Sequence, residues 1–339
     1  MDWEGKSLRI GAVTIAFAIL LRLAGSGLPG KLVTLLTGPE AVSAMLFLTT
    51  GRVVRPTAPV QPETETTAPP LPPFAWEDTP ETEASSPPQA LPVFATEDAA
   101  LVRVNSSCGY EADLPMLLKN PLSWDLTGAG PTVLILHTHG SESYQPDGTY
   151  TESSRYRTSD MAHNMISVGD RLVQILEQNG VGVVHDRTAH DIPSYSSAYA
   201  SSRESVQKYL EQYPTIRLVL DLHRDSVEDS QGAQLRFTTQ VEGESVAQLM
   251  LVVGTDAGGL THPDWPENMS LAVKLHAQLE KNAPGICRAI SFRSQRYNQD
   301  LSPGALIVEV GSAGNTREEA LRGVEQLGKA ILELCHGTG

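Results

Sequence analysis

Apolar and polar positions alternate in three distinct ways along this chain. From Ile10 to Leu21 the residues are apolar without a break (IGAVTIAFAILL), and Arg22 follows. A membrane-spanning helix needs about 20 apolar residues. An arginine near one end can snorkel to the interface, which extends the span to about Leu8–Leu28. Residues 1–30 therefore read as an N-terminal transmembrane anchor. A cleaved signal peptide is the competing reading. The charge-balanced start (Asp2, Glu4, Lys6, Arg9) and the lack of a small-x-small site favour an uncleaved anchor. Residues 31–55 form an apolar membrane-proximal segment, broken at Gly38–Pro39.

From residue 98 onward the pattern becomes that of a folded domain, 98–339. PTVLILHTHG (131–140) predicts a buried strand running into a polar turn. Residues 161–179 carry helical periodicity and stop at Gly180. Residues 181–185 predict a strand, 198–212 a helix, and IRLVLDLHRD (216–225) another apolar strand. GAQLRFTTQV and SVAQLMLVVG read as two adjacent strands, 266–282 as a helix, 305–315 as a strand and turn, and 316–334 as a closing helix. Strands alternating with helices predict an α/β fold: a three-layer αβα sandwich with a mostly parallel central sheet. In such sheets ligands bind beyond the carboxyl ends of the strands.

Composition separates these two regions. Between Pro56 and Pro92 stand 11 of the 23 prolines, and from Pro56 to Val102 there are eight carboxylates and no Lys or Arg. Such a stretch buries too little apolar surface to offset its ordering entropy. Residues 56–97 thus read as an extended acidic, Pro-rich linker. The formal net charge of −15 argues against nucleic acid as a partner, because a phosphate backbone is bound through Lys and Arg. Cys108, Cys287 and Cys335 are far apart and form no CxxC pair. A Cys-rich zinc site and a disulfide scaffold are both excluded.

Chemistry collects at three strand ends: His137-Thr138-His139-Gly140-Ser141-Glu142, His223-Arg224-Asp225, and Glu309 within LIVEVG. A hydrolytic zinc site takes three protein ligands and keeps one position open for water. His139, Glu142 and His223 supply two histidines and a carboxylate, and Glu309 supplies a general base and acid. Taken singly, a strand-end histidine is usually structural and Glu142 would be a solvated loop residue. An unpaired carboxylate inside an apolar strand is costly, so Glu309 is either salt-bridged or functional. With a side-chain period of two, His137 and His139 would share a face. His139 is favoured as ligand because it lies where the strand opens. His137 is then a supporting residue or the alternative ligand. Arg224 and Asp225 could hold a peptide or orient a ligand.

Four stretches carry a resemblance: LILHTHGSESY, DLHRDS, VVGTDAGGLTHPDWPENMSLAVKLHAQLE and RYNQDLSPGALIVEVGSAGNTREEALR. Together they resemble the stage II sporulation protein P family of endospore-forming bacteria, over about residues 98–336. That family looks related to the zinc-dependent N-acetylmuramoyl-L-alanine amidases. The resemblance implies cleavage of the amide between muramic acid and the stem peptide of peptidoglycan, with an endopeptidase activity on cross-links as well. It implies a Zn2+ cofactor, and action during forespore engulfment together with stage II sporulation proteins D and M. It implies a single-pass protein of the cell membrane whose catalytic domain lies outside the cytoplasm, between mother cell and forespore. IVEVGSAGN is similar to the amidase stretch ending in a catalytic Glu and a turn Asn, which supports Glu309 and Asn315. DLHRD supports His223, and LILHTHG favours His139. The carboxylate ligand departs from the pattern: the amidases carry it on the following helix, where this chain offers Asp160 and His163. Glu142 is the choice here. Asn298, in RYNQD with Tyr297 and Gln299, would contact substrate. Two other readings stand beside this one. The HxxE spacing of His139 and Glu142 fits a metallocarboxypeptidase-like enzyme on free peptides, and a wall-binding scaffold would need no catalysis.

Overall fold

The structure is a computed structural model that describes residues 94–336, apart from 147 and 149–155. The expected anchor, membrane-proximal segment and most of the linker lie outside the described residues. Among the described residues no helix is long and apolar enough to cross a membrane. Phe94, the first of them, is already buried.

In chain order the elements are β1 (Val104–Ser106), α1 (Leu114–Lys119), β2 (Pro131–Leu136), α2 (Met165–Gln178), β3 (Gly182–His185) and α3 (Ala198–Gln212). There follow β4 (Leu218–Asp225), β5 (Thr238–Val241), β6 (Glu244–Ala247), β7 (Leu249–Val253), α4 (Trp265–Asn282), β8 (Ile290–Phe292), β9 (Ala305–Ser312) and α5 (Arg317–Ile331). Seven strands form one sheet in the order β1-β8-β7-β9-β4-β2-β3, and β5 pairs with β6 in a separate hairpin. Five of the six pairings in the large sheet are parallel; β7 runs antiparallel to β9. One face packs α2, α4 and α5 against Val133, Ile135, Leu220, Leu222 and Val308. The other face packs α3, through Val206, against Leu134, Leu136 and Val219. This is the three-layer αβα sandwich that the alternation of strands and helices predicts.

Local chemistry sets the element ends. The predicted helix at 161–179 begins only at Met165, because the Asn164 side chain accepts the Ile166 N–H and caps the first turn. It ends where Gly180 takes a φ of +80°, a left-handed conformation that suits glycine. The strand predicted over 305–315 stops at Ser312, because the Asn315 side chain folds back onto the Ser312 N–H at 2.9 Å. One expectation needs correction. SVAQLMLVVG is not one strand: Ser245–Ala247 belongs to the β5–β6 hairpin and Leu249–Val253 to the large sheet. The change of sheet occurs at Gln248, whose N–H goes to Phe237 and whose carbonyl accepts from Gly311. Periodicity carries no sign of such a switch, since both halves keep an extended backbone.

Candidate active site

Parallel pairing of β4 with β9 sets His223 directly beside Glu309. Paired residues of neighbouring strands point to the same face, and so does Asp221, two residues earlier on β4. That face is the one covered by α3. Beyond the end of β2 the Thr138 backbone N–H and hydroxyl both donate to Asp221, at 2.8 and 2.6 Å. Asp221 Oδ1 also lies 3.0 Å from His223 Nε2, close enough for strong attraction but not aligned as a hydrogen bond. Asp221 therefore ties the β2 turn to the histidine of β4.

The charges around His223 are one-sided. Burial disfavours its charged form, but Asp221, Glu142 and Glu309 more than offset this and raise its pKa to about 10. Glu309 moves the other way from a normal carboxylate. Burial, with Glu142 and Asp225 nearby, holds its pKa at about 8 despite the attraction of His223. Glu309 Oε2 is buried without a hydrogen-bond partner, and among the described residues no ion pair forms with it. The salt-bridge reading of Glu309 is thereby removed.

Glu142 is held by arginines. Arg157 and Arg224 approach Oε1 at 3.3 and 3.4 Å. Oε2 accepts the Arg224 backbone N–H at 3.2 Å and stands 3.7 Å from His223 Nδ1. The remaining contacts of Arg224 go to the Ser143 and Tyr156 carbonyls, so this buried side chain braces the Glu142 loop. Arg224 thus orients a site residue.

His139 and His137 do not share a face, contrary to the expectation from a continuous strand. β2 ends at Leu136, and the turn beyond it breaks the period-two alternation. His139 swings toward His223, with ring centroids 5.3 Å apart. Tyr195 stacks on it at 4.2 Å, with the rings tilted by 10°, and Tyr199 meets it edge-on. His137 points to the α2 face, where its Nε2 lies 2.9 Å from His185 Nε2 and its Nδ1 3.3 Å from the Leu222 carbonyl. Burial, reinforced by His185, lowers its pKa to about 3, so it is neutral.

Among the described residues no three His, Cys, Asp or Glu side chains are set as a ready metal cage. Residues of the expected zinc site nonetheless carry orphaned polar atoms. His139 Nδ1 and Glu309 Oε2 are buried without hydrogen-bond partners, whereas His223 Nε2 faces Asp221 at 3.0 Å. Unsatisfied donors and acceptors of this kind are costly unless something occupies them.

The other expected residues sit further out. Asp225 pairs with Arg288 at 2.7 Å. The Asn298 amide donates to the Tyr199 carbonyl and the Ser202 hydroxyl, which ties its loop to α3. Asp160 and His163 pair with each other at 2.7 Å. Sequence reading missed Asp221, Arg157, Asp191 and Tyr195. Only Asp221 carries a local signal, because its i,i+2 spacing to His223 in a strand fixes a shared face. The others come from loops.

The family model described as stage II sporulation protein P matches residues 75–332. Stage II sporulation protein P of Bacillus subtilis (strain 168) is 30% identical over 224 residues, covering 61% of this chain and 52% of that protein. The chain thus spans about half the length of the curated relative it matches. Among solved structures, the N-acetylmuramoyl-L-alanine amidase AmiC2 of Nostoc punctiforme is similar at 17% identity and a TM-score of 0.37, covering 61% of this chain and 98% of that one. The N-acetylmuramoyl-L-alanine amidase from Clostridium difficile 630 is 13% identical with a TM-score of 0.39, covering 62% of this chain and 100% of that one.

Proposed function

The chain belongs to the stage II sporulation protein P family, and from that premise we propose that it is a peptidoglycan hydrolase that cleaves the amide joining muramic acid to the stem peptide. The observation that carries this reading is Glu309. A half-buried carboxyl with one buried, unpartnered oxygen, set in register beside His223 and with its pKa raised by burial, suits a proton carrier.

His139, Glu142 and His223 are the residues that would hold zinc, which when bound acidifies water and polarises a carbonyl. Glu309 takes a proton from the attacking water and delivers it to the nitrogen of the leaving amine. Asp221 keeps the His223 ring in place through its anchorage on Thr138. Arg157 and Arg224 hold Glu142 against the end of β4. Supporting contacts of this kind fix ligand orientation.

The wider setting belongs to the same proposal. An N-terminal helix and acidic linker would hold the enzyme at the membrane, facing peptidoglycan during engulfment, with stage II sporulation proteins D and M as partners. Cross-link endopeptidase activity would use the same groups. The test incubates the purified chain with sacculi and identifies products by mass spectrometry. Free stem peptides ending in an L-alanine amine are expected, and Glu309→Gln should slow their release by about 10²–10⁴-fold. Unchanged hydrolysis by that variant would reject the mechanism. Binding to sacculi without bond cleavage would replace it with the scaffold reading.

A further inference from the structure

A second Asp–His–Ser chain lies beside the site, and the roles above do not use it. Asp186 follows β3, and its Oδ2 stands 2.9 Å from His190 Nε2. His190 Nδ1 lies 2.9 Å from the hydroxyl of Ser201 on α3. Asp186 and His190 are buried. Burial pushes the Asp186 carboxyl up, but hydrogen bonds from His190 and Thr188 outweigh it and leave it below the ordinary carboxylate range. An ionised carboxylate only accepts, so His190 Nε2 is the donor. On a neutral imidazole Nδ1 then accepts the Ser201 hydroxyl proton.

This is the connectivity of an activated serine, but the surroundings do not suit catalysis. Ser201 sits inside α3, where its backbone N–H is in a helix and cannot point at an oxyanion. The consequence lies in the loop it pins. His190 is flanked by Ala189 and Asp191. Ala189 packs so tightly on Gly140 that a Cβ there would approach its Cα at 3.0 Å. Asp191 accepts from the Ser141 N–H and hydroxyl, at 3.1 and 2.5 Å, and from Arg157 at 2.8 Å. The same loop then delivers Tyr195 onto the His139 ring.

We propose that Asp186, His190 and Ser201 form a clamp that positions the His139–Glu142 turn, with His190 and Ser201 as positioning residues for the site. The proposal rests on the hydrolase reading for its effect on rate, but not for its structural content. The test uses the full chain with isotope-labelled histidine rings, the His139 signal being identified by its loss in His139→Asn. Stacking under Tyr195 gives that signal a ring-current shift in the wild type.

Ser201→Ala, which suits a helix, should move the His139 signal toward its unstacked position and lower kcat on sacculi about tenfold. The His262 and His276 signals should stay fixed. Ser201→Thr, which keeps the hydroxyl, should restore both readouts. A His139 signal unmoved by Ser201→Ala would overturn the clamp, and so would covalent labelling of Ser201 by a fluorophosphonate. If the wild type fails to cleave sacculi, the hydrolase reading falls while the His139 signal still decides the clamp.

Discussion

Glu319 is almost fully buried at the first turn of α5 and keeps its charge. Burial alone would raise its pKa. Bonds from Arg236, Ser245, Asn315 and the Thr316 N–H overcome that and bring it to about 2. Glu309 is half-buried with its Oε2 shut off from solvent, but no donor meets that oxygen, and it rises to about 8. The same side chain serves structure in one place and, in the mechanism proposed here, proton transfer in the other, and the difference in pKa follows the count of donors around it. The Glu319 pKa is depressed relative to an unfolded value near 4.5. Its contribution to stability is therefore full above about pH 4.5 and is lost as pH falls toward about 2. Urea unfolding midpoints should drop through that window in the wild type. Glu319→Gln should be less stable at neutral pH and show a shallower drop.

At the scale of elements, α2 lies close to the sheet because of Gly169. A Cβ there would come within 2.6 Å of both His137 Nε2 and His185 Nε2. Gly169→Ala gains about 1 kcal/mol in helix propensity. The overpacking it forces on the His137 and His185 rings costs about 1–3 kcal/mol. A net loss of at least about 1 kcal/mol is expected in denaturant unfolding; a stabilised variant would show that the histidine pair yields. The helix end at Gly180 was legible, whereas the Asn164 cap that starts the same helix was not. The short strands β1 and β8 and the helix α1 were not legible, because three to six residues hold too few periods to distinguish them from loop. The split at Gln248 was hidden for a different reason, since two different sheets claim adjacent residues of similar pattern.

At the scale of the whole molecule, the described residues fold around apolar packing. Two apolar clusters, one on each face of the seven-stranded sheet, carry the fold. Chelation is therefore expected to abolish sacculus hydrolysis while leaving the far-ultraviolet circular dichroism spectrum unchanged and lowering the melting temperature by only a few degrees. Unfolding on chelation would mean that the metal ties the sheet together, as in small zinc domains. The reversal of strand direction between β9 and β7 has a further consequence at this scale. Only β2, β3, β4 and β9 direct their carboxyl ends toward the site, so His139, His223 and Glu309 come from one half of the sheet.

Sequence alone determined most of the longer elements, the layered α/β class, and His223 and Glu309 as residues of chemical interest. These follow from periodicity and from the cost of a carboxylate in an apolar strand, both of which act between neighbours along the chain. Tertiary structure decided which histidine of HTH faces the site, that two arginines hold Glu142, and that Asp221 and the Asp186–His190–Ser201 clamp support it. Those outcomes depend on where β2 stops, on the register of β4 against β9, and on loops that meet only after the sheet has formed. No pattern of nearby residues encodes contacts made across so many intervening positions.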